Sequence, residues 1–110
     1  MKVAYVFTSK NSHLILDKMI IPQLLSDKHG ADVVGMMFFA DNTFLLTKGS
    51  NVGDRLHEVL KKKKMLLMAC DICAIERGIH EKLIDGACIG CFPDLYKALE
   101  GSGVEQVITL

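Results

Sequence analysis

The residues with the clearest chemical potential are four cysteines, which form two C-x-x-C pairs: Cys70 with Cys73, and Cys88 with Cys91. Cysteine thiolates attack disulfides, accept sulfur as persulfides and bind metal ions. The first residues lack the pattern of a signal peptide, so we expect a cytoplasmic protein. In that compartment, cysteines are more often reactive or metal-binding than joined in structural disulfides.

Cys70 is the strongest candidate nucleophile. It follows the apolar run 65–69, which predicts a buried strand, and residues 71–77 predict a short helix directly after it. Because free amides at the start of a helix stabilise a thiolate, we expect the pKa of Cys70 to be lowered. Cys73 lies one helical turn further on, where it could resolve a mixed disulfide. Arg77 fits two roles, steadying an anionic sulfur species or stabilising the end of the helix.

The second C-x-x-C pair belongs to a different part of the chain. Cys88 lies within a predicted fourth strand, residues 87–89, and we interpret it as a small core residue. Cys91 follows that strand. If the third and fourth strands are neighbours, Cys70 and Cys91 face each other at one edge of the sheet. Cys91 is then a further candidate to resolve or relay sulfur.

The spacing of the two pairs, C-x2-C-x14-C-x2-C, is also close to that of zinc sites. Four thiolates can close a tetrahedral zinc site or hold an iron–sulfur cluster. However, Cys70 follows a buried strand rather than a flexible turn, and no glycine lies between it and Cys73. We therefore expect neither a metal nor a cofactor. A thiol–disulfide redox or metal-binding module remains the alternative function.

Composition excludes several classes of partner. The 110 residues suit a single domain, 1–110. Equal numbers of basic and acidic residues, 13 of each, argue against a nucleic-acid partner, which requires a basic surface. No apolar run approaches the roughly 18 residues of a membrane-spanning helix, so we expect no membrane contact.

Strand and helix patterns alternate along the chain. The predicted strands are residues 2–7, 31–40, 65–69, 87–89 and 104–110, and the predicted helices are residues 13–29, 52–60, 71–77 and 93–99. The second and third strands are apolar throughout, which is typical of strands covered on both faces. The pattern predicts an α/β fold with a parallel sheet between helices. Ligands bind beyond the carboxyl ends of such strands, which directs attention to residues 8–12, 40–50 and 70–77.

The connection after the second strand is unusually apolar. Residues 43–46 contain three large apolar side chains, although such a connection is normally polar. We expect this segment to contact another subunit beside the cysteines. The alternative is a short helix that packs on its own sheet.

The order of these features resembles the DsrE/DsrF-like family, which includes the TusD-like sulfur-relay proteins. The resemblance starts from the apolar strand that ends in Cys70 and from Arg77-Gly78. It extends over nearly the whole chain, through Phe38-Phe39-Ala40-Asp41-Asn42, Leu45-Leu46, Lys48-Gly49, Gly86-Ala87, Gly90 and Val107-Ile108-Thr109-Leu110.

The resemblance implies a three-layer, flavodoxin-like fold with a mostly parallel five-stranded sheet and helices on both faces. It also implies a homotrimer or homohexamer, and a persulfide carried on the cysteine after the third strand, here Cys70. The pair Cys88 and Cys91 departs from the family, which does not generally have it. This departure argues against simple carriage by one cysteine.

Together, these observations predict a small cytoplasmic sulfur-handling protein. It would act as a carrier or relay subunit rather than as an enzyme with a small-molecule substrate of its own. The candidate site residues are Cys70, Cys73, Cys91 and Arg77, and the expected partners are proteins that donate and accept sulfur. A third hypothesis is an assembly subunit whose cysteines only fill the core.

Overall fold

The computed structural model describes all 110 residues and places five strands in one sheet. The strands are β1 (Lys2–Phe7), β2 (Asp32–Phe38), β3 (Leu66–Cys70), β4 (Ala87–Gly90) and β5 (Gln106–Thr109). Their order is β4-β3-β2-β1-β5, and every pairing is parallel. The predicted fold class, a three-layer flavodoxin-like α/β fold, is confirmed.

Helices cover both faces of the sheet. They are α1 (Ser12–Ile15), α2 (Ile21–Leu25), α3 (Asn51–Lys62), α4 (Asp71–Glu76) and α5 (Phe92–Leu99), with a 3-10 helix at Ala40–Leu46. The right-handed crossovers between β1 and β4 all run in one direction across the sheet, so α1 to α4 lie on one face. The connection from β4 to β5 runs back across the sheet and places α5 on the other face. No helix combines the length and hydropathy needed to cross a membrane.

The first helical region differs from its prediction in two ways. Instead of a simple kink at Pro22, a π-helical turn at Leu16–Ile20 joins α1 to α2 just before the proline. A proline cannot donate a backbone hydrogen bond, and a widened turn accommodates this loss. The helix also ends at Leu25, earlier than predicted, and Asp27 follows with a positive φ of 58°.

The two sides of the sheet have cores of different size. On the side of α1 to α4, 17 buried apolar residues form one cluster that includes Phe7, Phe38 and Leu56. On the side of α5, the buried cluster has five residues: Val6, Met37, Met68, Cys70 and Leu95. Side chains alternate along each strand, so Cys70 points to the same side as Met68. The strongest candidate cysteine therefore belongs to the smaller core.

The apolar connection 43–46 is divided between the core and the surface. It lies in the 3-10 helix, where Thr43 and Leu46 are buried within their own chain. Phe44 is 45% exposed. The segment thus packs largely on its own sheet, and only Phe44 is left for the expected contact with another subunit.

Replacing Gly53 tests the packing at the start of α3. Its amide donates to Ser50 Oγ (2.9 Å), and an added Cβ would overlap the carbonyl oxygen of Thr47 and lie 2.7 Å from Ser50 Oγ. Helix propensity alone favours alanine by about 1 kcal/mol. We expect Gly53→Ala instead to lower the free energy of unfolding by about 1–3 kcal/mol, because the overlap forces the backbone to shift.

Urea denaturation measures this difference. Lys61→Ala, at an exposed position of the same helix, is the control and should change the free energy of unfolding by less than about 0.5 kcal/mol. A more stable Gly53→Ala variant would show that the start of α3 is packed differently.

Candidate functional site

Three of the four cysteines meet at the carboxyl edge of the sheet. Cys70 is the last residue of β3, and its register partner in β4 is Gly90, which directly precedes Cys91. Cys73 lies in the first turn of α4. The thiols of Cys73 and Cys91 are near enough to raise the pKa of Cys70 electrostatically. The condition for bringing Cys70 and Cys91 together, adjacent third and fourth strands, is therefore met.

The environment of Cys70 opposes ionisation. The residue is only 5% exposed and packs in the smaller core, and its Sγ accepts a hydrogen bond from the Cys73 amide (3.4 Å). Burial raises the pKa of Cys70, and the adjacent thiols raise it further, whereas the single amide acts in the opposite direction. The predicted lowering of this pKa by the following helix is wrong. The six-residue α4 supplies one amide, which does not offset the loss of solvent.

The other two thiols of the site are more accessible. Cys73 and Cys91 are both half-buried. The amide of Cys91 donates to Asp94 Oδ2 (2.8 Å), which fixes the start of α5. A cysteine followed three residues later by an acidic residue is a variant of the usual helix-start pattern. The sequence therefore contained a signal that Asp94 would bind the Cys91 amide at the start of α5.

Cys88 lies apart from these three thiols. We predicted a core residue, but the structure places it exposed on the edge strand β4, and this prediction is wrong. Its thiol donates to the carbonyl oxygen of Leu67 (3.6 Å). It lies two residues before Gly90, or roughly 7 Å further from the carboxyl edge.

The position of Cys88 also argues against the metal-binding alternative. A zinc site of this spacing needs the thiolates of both pairs around one point. The structure contains no group of three or more His, Cys, Asp or Glu side chains placed to hold a metal ion. The two C-x-x-C pairs do not form a shared donor set.

Arg77 connects the cysteine helix to the loop after β2. Its Nε donates to Asp41 Oδ1 (2.9 Å), and its Nη1 donates to the carbonyl oxygen of Cys73 (3.1 Å). The guanidinium thus joins the end of α4 to the 3-10 helix and lies near Cys73. Sequence reasoning missed Asp41, because the two partners are 36 residues apart and no pattern pairs them.

Comparison with known proteins identifies the fold but not the function. No protein-family model matches the sequence, and no curated protein matches it. Several solved structures share the fold. YchN from E. coli has 21% identity and a TM-score of 0.70, and the match covers 99% of this chain and 97% of that one.

Two further solved structures with this fold are proteins of unknown function. BT1422 from Bacteroides thetaiotaomicron has 15% identity and a TM-score of 0.70, with 99% of this chain and 94% of that one covered. MTH1491 from Methanobacterium thermoautotrophicum has 14% identity and a TM-score of 0.66, with 99% and 97% covered. All three similarities establish the arrangement of strands and helices alone.

The pH dependence of Cys70 reactivity tests the raised pKa. We expect alkylation of Cys70 by iodoacetamide to reach half its maximal rate at a higher pH than a cysteine in an unfolded peptide. The thiolate is the reactive form, and burial disfavours it. Mass spectrometry of digested protein measures each cysteine separately. A half-maximum at or below the peptide value would contradict the raised pKa.

Stability should change with pH in the corresponding direction. Above the ordinary thiol pKa of about 8.5, the unfolded chain releases the Cys70 proton, whereas the folded chain retains it. The folded state therefore loses stability as the pH rises through this range. A Cys70→Ser variant should lack this loss, so its free energy of unfolding should fall less steeply than that of the wild type.

Proposed function

We propose that this protein carries sulfane sulfur as a persulfide on Cys70 and exchanges it with other molecules through Cys73 and Cys91. The supporting observation is a graded set of thiols at one edge of the sheet. Cys70 is buried, and the two thiols that influence its pKa are half-buried. The resemblance to the DsrE/DsrF-like family, whose fold agrees with the one found here, supports the same chemistry.

The proposed transfer is a sequence of thiol exchanges. The thiolate of Cys73 or Cys91 attacks the outer sulfur of a donor persulfide, R–S–SH. The S–S bond of the donor breaks, a new S–S bond forms on the protein, and the donor leaves as R–S⁻, which takes up a proton. Cys70 then repeats the exchange on its loaded neighbour. Neither step requires an oxidant or a reductant.

Burial gives Cys70 the property that a carrier needs. Met37, Met68 and Leu95 share its apolar cluster, so small thiols in solution have little access to a terminal sulfur held there. The same burial makes Cys70 a poor first nucleophile, because it disfavours the thiolate. A half-buried thiol that receives sulfur and passes it inward resolves this conflict. A simple disulfide-exchange module would need only the pair Cys70 and Cys73.

Sulfur loading tests the proposal directly. Reduced protein is incubated with inorganic polysulfide, and intact-mass spectrometry follows added sulfur atoms. We expect the wild type to gain sulfur that resists a brief wash with a small thiol, because the sulfur moves to buried Cys70. Cys70→Ser should lose the resistant fraction. The double variant Cys73→Ser/Cys91→Ser should load roughly tenfold more slowly, since only the buried thiol remains.

Cys88→Ser is the matched control, because it removes a thiol outside the site and should load like the wild type. If no cysteine of the wild type gains sulfur, the proposal is wrong. If polysulfide instead converts Cys70 and Cys73 to a disulfide, the thiol–disulfide alternative is favoured.

We also propose that the chain assembles as a homotrimer or homohexamer. The side of the sheet covered by α5 exposes three large apolar side chains: Phe92, Tyr96 and Val107. Tyr96 is 65% exposed, and Phe92 stacks on Phe39 and lies at a tilt to Tyr96. Exposed apolar patches of this kind are typical of contacts between proteins.

Light scattering on the eluting protein measures the assembly. Tyr96→Glu should reduce the mass to that of the monomer, because it introduces a charge into the proposed contact. Leu14→Glu changes a similarly exposed apolar residue outside that patch, in α1, and should leave the mass unaltered. A monomeric wild type would contradict the assembly without affecting the sulfur chemistry.

A further inference from the structure

A cleft opens at the same edge of the sheet as the thiols, between the loops that follow β1 and β2. Its volume is about 580 Å³, within the range of small-molecule sites. The residues that define its character are Ser9, Lys10, His13, Asp41, Asn42 and Phe44. The cleft lies beyond the carboxyl ends of parallel strands, where sheets of this type bind their ligands.

The charge that remains free in this cleft is positive. Lys10 forms no salt bridge, and His13 has no side-chain hydrogen bond within the chain. The carboxylate of Asp41 is bound by Arg77, and the amide of Asn42 donates to the carbonyl oxygen of Ser9 (3.1 Å). An ammonium group and an imidazole are thus left to bind a ligand, which favours an anionic one such as a carboxylate.

The backbone at the wall of the cleft is strained. Ala40 has a φ of 53°, in the left-handed region that residues other than glycine rarely adopt. Its carbonyl oxygen accepts a hydrogen bond from Thr43 Oγ1 (2.8 Å), which helps to hold this conformation. The turn directs the chain from β2 into Asp41 and Asn42. Strain of this kind is concentrated at binding and catalytic sites, where neighbouring structure maintains it.

The cleft lies near the end of the strand that carries Cys70. Strands β1, β2 and β3 are adjacent, and strands in a sheet lie about 4.8 Å apart, so the middle of the cleft is roughly 7 Å from the end of β3. The chain Asp41–Arg77–Cys73 also links the cleft wall to α4 through two hydrogen bonds. A ligand whose sulfur lies about two residue lengths from its carboxylate spans this gap.

We propose that this cleft binds the sulfur donor, a low-molecular-weight persulfide of the cysteinyl-peptide class that carries a free carboxylate. The inference rests on the proposed function and names its substrate class. The donor carboxylate pairs with Lys10 and His13, its apolar part contacts Phe44, and its persulfide points to Cys73. The thiolate of Cys73 takes the outer sulfur, and the peptide leaves as a thiolate that is then protonated.

Two forms of one donor test the role of the carboxylate. The rate of sulfur loading is measured by mass spectrometry with glutathione persulfide and with its diethyl ester, which lacks both carboxylates. We expect the wild type to load from the free acid about tenfold faster than from the ester, as one charge-assisted pair would give. The double variant Lys10→Gln/His13→Gln should load from both forms at similar rates.

Lys64→Gln is the matched control for charge. Lys64 also forms no salt bridge, but it precedes β3 at the opposite edge of the sheet. This variant should keep the preference for the free acid. Thermal unfolding of each variant should match the wild type, since Lys10, His13 and Lys64 are exposed.

Equal loading of the wild type from acid and ester would overturn the cleft assignment. An equal effect of Lys64→Gln and the double variant would also overturn it, because only overall charge would then matter. Both results leave the sulfur-carrier function intact. If neither donor nor inorganic polysulfide loads any cysteine, the proposed function itself fails.

Discussion

The parallel pairing of β3 with β4 determines the geometry of the candidate site. In this register Cys70 lies beside Gly90, so the chain after each strand brings a cysteine to the same edge of the sheet. A shift of one residue would turn the Cys70 side chain to the opposite face, away from α5. The proximity of Cys91 to Cys70 depends on this alignment, although β4 has only four residues.

Burial and reactivity conflict at this site, and the arrangement separates them. Cys70 is surrounded by apolar side chains, which would protect the proposed persulfide sulfur but disfavour the thiolate. Cys73 and Cys91 are half-buried and therefore more accessible. Arg77 fixes the position of α4 relative to the neighbouring loop and to the cleft beside it. In the proposed function, protection, entry and positioning would therefore fall to different residues.

The sequence was sufficient to locate the strands and to predict a parallel sheet, because continuous apolar runs indicate buried parallel strands and glycine or proline marks their ends. It also located the cysteine edge. The raised pKa of Cys70 could not be predicted, since it depends on the cover that α5 supplies from later in the chain. The pairing of Asp41 with Arg77 and the exposure of Cys88 likewise depend on tertiary packing, which local patterns do not encode.

The unequal cores have a consequence for motion. One eight-residue helix, α5, supplies Leu95 to a cluster of five residues, whereas 17 residues hold the other side together. Local opening requires least free energy where few apolar contacts must break. Detachment of α5 can therefore bring Cys70 into contact with solvent while the larger core stays folded. If Cys70 carries the proposed persulfide, the rate of sulfur release would be set by this local opening of α5 and not by global unfolding.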